Sequence, residues 1–94
     1  MSAMTAPEHP EQASIIVTLR SGTTALGRAP DNDVRLSDHT VSNHHARLVT
    51  ILGASYIEDL GSTNGTFVNG KRVQMHTVHP GDEIVLGSCR ISVA

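Results

Sequence analysis

Thr66-Phe67-Val68-Asn69-Gly70-Lys71-Arg72-Val73 reads as a β-hairpin. Asn-Gly supplies the positive φ that a tight two-residue turn requires, and β-branched or aromatic residues flank it. Working outward, short strands follow one another between turn signals. Upstream, Ser55 to Asp59 reads as a strand, Gly53-Ala54 as a turn, and His45 to Leu52 as the longest strand, with Ala46 and Leu48 on one face. Further back, Val34 and Leu36 alternate with charged residues, 29–32 and 37–44 are polar loops, and Thr24 to Leu26 is a short strand. Ile15, Val17 and Leu19 alternate with Ile16, Thr18 and Arg20. Downstream, His79-Pro80-Gly81-Asp82 is a turn, and two strands, Asp82 to Leu86 and Arg90 to Val93, close the chain around Gly87-Ser88. No interval between turns is long enough for an amphipathic helix. Many short strands at regular spacing imply an all-β sandwich or barrel.

Ninety-four residues make one domain. Residues 1–13 carry Pro7, Pro10 and small polar residues and read as a disordered tail; 14–94 form the folded unit. With no Trp, one Tyr and one Phe, the core is aliphatic. The same scarcity leaves no aromatic platform for stacking bases, and a net charge of −2 gives no field for DNA or an anionic membrane. Nucleic-acid and membrane partners are therefore not expected. Cys89 is the only cysteine, so neither an intramolecular disulfide nor a cysteine-based zinc site can form. A single thiol, no secretory h-region and no apolar run of membrane length imply a cytoplasmic chain. The sequon Asn64-Gly65-Thr66 then reads as coincidence.

Three catalytic or ligating patterns fail on inspection. Gly65-x4-Gly70-Lys71 approaches a P-loop, but Arg72 stands where Ser or Thr must bind magnesium, and no helix follows. Ser42, His45 and Asp59 are the residue types of a hydrolase triad, yet Thr40-Val41-Ser42-Asn43-His44 is no nucleophile elbow. His44 and His45, neighbours on a strand, point to opposite faces and cannot chelate together. No metal, no cofactor and no enzymatic activity are expected.

The remaining pattern suits an anion. Gly27-Arg28 ends a strand, and a guanidinium offers a planar fork of donors that fits a phosphate. Ser42 and Asn43 in one loop, and Ser62, Thr63 and Asn64 in another, carry short neutral donors. Taken by composition alone, these are ordinary turn residues.

Order and spacing change that reading. Leu26-Gly27-Arg28, then Ser42-x-x-His45, then Asp59-Leu60-Gly61-Ser62-Thr63-Asn64-Gly65-Thr66-Phe67-Val68-Asn69-Gly70, then Gly81-Asp82-x-Ile84-x-Leu86-Gly87 together resemble the forkhead-associated (FHA) domain across residues 14–94. The resemblance implies a β-sandwich of about eleven short strands in two sheets, with phosphothreonine peptides bound by loops at one end. It implies that Arg28, Ser42, Asn43 and Thr63 receive the phosphate and that Asn64 holds the peptide backbone. Gly27, His45, Gly65, Asn69 and Gly70 shape the loops, and His45 braces them rather than binding ligand. Asp59 and Phe67 are architecture. The implied partner is a phosphothreonine-bearing protein, a Ser/Thr kinase substrate or the kinase itself, met by a monomer. A phospho-independent scaffold within a larger complex is the alternative. Residues beyond the phosphothreonine are expected to be read by loops 37–41 and 69–72, where Asp38, His39, Thr40, Lys71 and Arg72 all qualify. Thr5, in the tail, is a further candidate as a self-binding phosphosite.

Overall fold

A computed structural model describes residues 15–94. The tail assigned to residues 1–13, with Thr5, lies outside them. Ten strands alternate with turns: β1 (Ile15–Val17), β2 (Gly22–Gly27), β3 (Val34–Arg35), β4 (Ala46–Ile51), β5 (Ala54–Asp59), β6 (Thr66–Val68), β7 (Lys71–Val73), β8 (Met75–Val78), β9 (Glu83–Leu86) and β10 (Cys89–Val93). They form two five-stranded sheets, ordered β1-β10-β9-β6-β7 and β3-β2-β4-β5-β8. The fold is an all-β sandwich. Ten strands are described where the sequence implied about eleven.

Alternation makes the core. Ile84 and Leu86 of β9, Ile91 and Val93 of β10, and Val68 of β6 point inward from the first sheet. Leu26 of β2, Ala46 and Leu48 of β4, Ile57 of β5 and Val78 of β8 meet them from the second. Leu36 and Val41 are also buried, although they lie in the loop before β4. They anchor that loop to the core, so it does not hang free in solvent.

Several strand limits differ from the sequence reading, each for a local reason. The strand expected over His45 to Leu52 runs only from Ala46 to Ile51, and it matches β2 and β5 in length. Leu52 leaves the ladder because its φ is 53°, which turns the chain into Gly53. The first strand stops at Val17, short of Leu19. Strand β2 starts at Gly22, two residues before the strand expected from Thr24. Strand β8 was not expected at all. It is an edge strand with three exposed positions out of four, so its sequence carries no inward alternation. Pairing to β5, from Ser55–Val78 to Glu58–Met75, creates it. The β6–β7 hairpin is as read, with Asn69 at φ 50° and Gly70 at φ 86° in the turn that the Val68–Lys71 pair closes.

Topology then sets the ends of the sandwich. Gly87 N–H donates to the Gly65 carbonyl, so the start of β6 and the end of β9 share one end with the loops before β4 and after β5. Asn69 sits at the other end of β6, where its amide donates to Asp82 and its N–H to Glu83. Asn69 and Gly70 therefore shape the turn remote from Arg28 and Ser42.

Leu52 is fully exposed in a left-handed conformation that favours Asn or Gly over a γ-branched side chain. Leu52→Asn is expected to raise stability in urea by about 1 kcal/mol. A midpoint that falls would contradict this account of the turn.

Candidate phosphate-receiving site

Two loops meet across a buried histidine. His45 precedes β4, and its backbone extends the ladder: its N–H donates to the Leu26 carbonyl and its carbonyl accepts from Leu60 N–H. The imidazole has no exposed surface. Nδ1 accepts from the Ser42 N–H at 3.1 Å, so the ring proton sits on Nε2 and donates to the Gly65 carbonyl at 2.8 Å. One side chain thus joins loop 36–45 to loop 60–65. His44 turns outward and pairs with Asp31 through Nε2 at 3.0 Å. Both histidines stand ahead of β4 rather than on a strand, and they face apart.

Asp59, at the end of β5, organises the second loop from within. Its carboxylate accepts from the backbone N–H groups of Gly61 and Ser62 and from the hydroxyls of Ser62 and Thr66. Ser62 Oγ in turn accepts from Gly65 N–H at 3.0 Å. Burial pushes the Asp59 carboxyl up. The Ser62 and Thr66 hydroxyls and the two N–H groups outweigh that and hold it below its ordinary value of 3.8.

The first loop is held at three points. Gly27 lies under the Asn43 carbonyl so closely that any Cβ would collide with it. Asn32 spans the gap, its amide donating 2.8 Å bonds to the carbonyls of Ala29 and Asn43. Asp38 accepts from the N–H and hydroxyl of Thr40 and from Ser88 Oγ, tying the loop to the β9–β10 turn. Those bonds, led by the Thr40 hydroxyl, hold the Asp38 carboxyl below its ordinary value.

Between the loops lies a hollow of about 140 Å³ lined by Arg28, His39, Thr40, Val41, Ser42, Thr63 and Asn64. Its polar groups are positioned but not exhausted. Arg28 Nε donates to the Val41 carbonyl at 3.1 Å, which leaves the outer guanidinium nitrogens without a partner among the described residues. Ser42 Oγ accepts from Thr63 N–H at 3.1 Å, so its own proton remains available. Asn64 donates to the Thr40 carbonyl at 2.7 Å and keeps its amide oxygen. Arg28, Ser42, Thr63 and Asn64, distant in sequence, are brought together. Asn43 is not among the lining residues: its side chain is exposed, and its carbonyl supplies the contacts to Ala29 and Asn32. Sequence reasoning overlooked Asn32, Val41 and Ser88. Asn32 looked like turn filler, Val41 like loop, and Ser88 is fifty residues from its partner Asp38. A groove of about 710 Å³ opens elsewhere beside β1 and β2, and none of the expected site residues lines it.

The triad types Ser42, His45 and Asp59 do converge, but not as a catalytic relay. His45 is bound to the backbone N–H of Ser42 rather than its hydroxyl, and its other nitrogen serves Gly65, 4.0 Å from Asp59. Among the described residues, no three His, Cys, Asp or Glu side chains cluster to hold a metal. No helix there is long and apolar enough to cross a membrane.

Comparison with known proteins gives a consistent picture. The family model of the FHA domain matches residues 24–87. The chain is 44% identical over 70 residues to the ABC transporter ATP-binding/permease protein Rv1747 of Mycobacterium tuberculosis, covering 74% of this chain and 8% of the transporter. It is 42% identical over 69 residues to the glycogen accumulation regulator GarA of Mycolicibacterium smegmatis, covering 73% of this chain and 44% of the regulator. The chain thus spans less than half the length of these relatives. A solved structure described through phosphothreonine-dependent FHA domain interactions superposes with a TM-score of 0.73 at 39% identity, over 77% of this chain and 75% of that one.

The Asp59 geometry has a pH signature. A carboxyl held below 3.8 in the folded state stabilises above that value, and the stabilisation is lost as pH falls through the folded pKa. Asp59→Asn is expected to lower stability at pH 7, with the gap to wild type narrowing below about pH 4. Urea unfolding at stepped pH reads this. A gap that stays constant to pH 3 would contradict the assignment.

Proposed function

Because the chain belongs to the FHA-domain family, we propose that it is a non-catalytic signalling module that binds phosphothreonine-bearing proteins downstream of a Ser/Thr kinase. The observation that carries this reading is the set of unspent polar groups around one small hollow: two donors, the outer nitrogens of Arg28 and the Ser42 proton, beside the free amide oxygen of Asn64. A phosphate brings about −1.5 to −2 charges and three acceptor oxygens, which complement the two donors, and the Asn64 oxygen suits a peptide N–H. Arg28 supplies the fixed charge. Ser42 and Thr63 supply short donors that match a tetrahedral anion, and Asn64 holds the peptide beside it. Asn43 approaches the phosphate from the rim, since its side chain is exposed. The threonine methyl packs toward Val41, a buried wall residue of the hollow. One buried methyl favours phosphothreonine over phosphoserine by about 0.8 kcal/mol, roughly fourfold.

The partner is a kinase substrate or the kinase itself, met by a monomer without a cofactor. Residues 14–94 act as one binding unit. We place it in the cytoplasm, where the free buried thiol of Cys89 stays reduced and where phosphoproteins are made. Neither nucleic acid nor membrane is a partner on this reading.

Calorimetric titration with matched phosphothreonine, phosphoserine and unmodified peptides tests the proposal. Wild type is expected to bind only phosphorylated peptides. Each charge-assisted bond removed by Arg28→Ala or Ser42→Ala is expected to weaken binding by at least about tenfold. Affinity is also expected to drop as pH falls below about 6, where the phosphate loses its second charge. Binding that ignores phosphorylation would point instead to a scaffold role.

A further inference from the structure

Arg72 stands at the edge of the proposed site in a way the site itself does not require. It lies on β7 opposite Phe67, at the edge of the first sheet. Its side chain folds back along β6 and settles against Gly65. A Cβ built on Gly65 would lie 2.8 Å from Arg72 Nε, 3.0 Å from Cζ and 3.3 Å from Nη2. The guanidinium therefore occupies the space that any side chain at position 65 would take. Gly65 is a firm platform. It is buried, its carbonyl accepts from His45 and from Gly87 N–H, and its own N–H donates to Ser62. The residue before it, Asn64, lines the hollow.

Arg72 is also uncommitted. Arg47 pairs with Glu58 and Arg90 with Glu83, and Arg35 donates to the Arg28 carbonyl. Arg72 is exposed and has no carboxylate or hydrogen-bond acceptor among the described residues. The other candidates for reading the peptide are differently placed. The Asp38 carboxylate and the Thr40 hydroxyl are spent on each other and on Ser88. Lys71 pairs with Val68 beside the Asn69-Gly70 turn, at the far end of β6. His39 lines the hollow itself, where the phosphate would sit.

We infer that Arg72 is a specificity-determining residue that selects peptides carrying an Asp or Glu beside the phosphothreonine. The inference rests on the phosphothreonine reading above. A planar guanidinium resting against a rigid backbone keeps its fork of donors free beside the hollow, and that fork matches a carboxylate. The charge balance favours it too. Among the described residues Arg28 is the only fixed cation lining the hollow, so a bound phosphate leaves negative potential that discourages further acid unless a second cation meets it.

Phosphothreonine peptides with each flanking residue replaced in turn by Ala, Asp or Lys give the test, titrated against wild type, Arg72→Gln and Arg72→Glu. At one flanking position, Asp is expected to tighten wild-type binding about fivefold over Ala, the upper end for an exposed ion pair. The Asp-to-Ala ratio at that position is expected to fall to about one in Arg72→Gln, and Arg72→Glu is expected to prefer Lys there. An Asp preference that survives Arg72→Gln, or the absence of any Asp preference in wild type, overturns the inference alone. If wild type fails to distinguish the Ala-flanked phosphopeptide from its unmodified twin, the phosphothreonine reading falls, and this one with it. Should Arg72→Gln lose its fold, Arg72→Glu or wild type still decides the matter.

Discussion

The His45 imidazole lies wholly inside the protein, between the N–H of Ser42 and the carbonyl of Gly65. Without the ring the half-buried Ser42 N–H would have no partner among the described residues, at a cost of about 1–3 kcal/mol, and the Gly65 carbonyl would keep only its bond from Gly87 N–H. Satisfying them with one rigid ring fixes the separation of two loops that share no strand. Ser42 follows from the first and Thr63 and Asn64 from the second, so the width of the hollow depends on this ring. The remaining contacts refine that spacing: Thr63 N–H reaches Ser42 Oγ, and the Asn64 amide reaches the Thr40 carbonyl.

Around that brace, the charged side chains divide into two kinds. Asp59 and Asp38 face inward to backbone N–H groups and hydroxyls, and their work is to hold loops in shape. Arg28 and Arg72 face outward with donors to spare. Committing these acids to loop bonds ties up their negative charge while using the strength of charge-assisted bonds. A net acidic chain is thereby compatible with the proposed anion site: among the described residues the carboxylates have partners, while the outer nitrogens of Arg28 and the guanidinium of Arg72 do not.

Much of the fold was legible because sheet formation obeys a period of two. Ile84, Leu86, Ile91 and Val93 announce inward positions by alternation, and Asn69-Gly70 announces a turn by the φ values it tolerates. Strand β8 was not legible, since an edge strand buries almost nothing on its own and exists through pairing with β5. Leu52 was read as strand because a leucine at positive φ runs against its local preference, and turn closure between β4 and β5 overrode it.

Sequence by itself determined the class of fold, the family and the residue types of the site. Alternation, turn chemistry and four ordered motifs are local properties, readable without knowing what touches what. Only tertiary structure decided roles. Ser42, His45 and Asp59 fail as a catalytic triad in the sequence for want of a nucleophile elbow, but only the bonds of His45 to Ser42 N–H and Gly65 show what brings them together. Asn69-Gly70 and Asn64-Gly65 look alike as dipeptides, yet one caps the remote end of β6 and the other borders the hollow. Arg72 looked like one of five equivalent candidates until Gly65 was found beneath it. The physical reason is the same in each case. Local preference sets the conformation a residue can adopt, and its partner, here tens of residues away, sets what that conformation is used for.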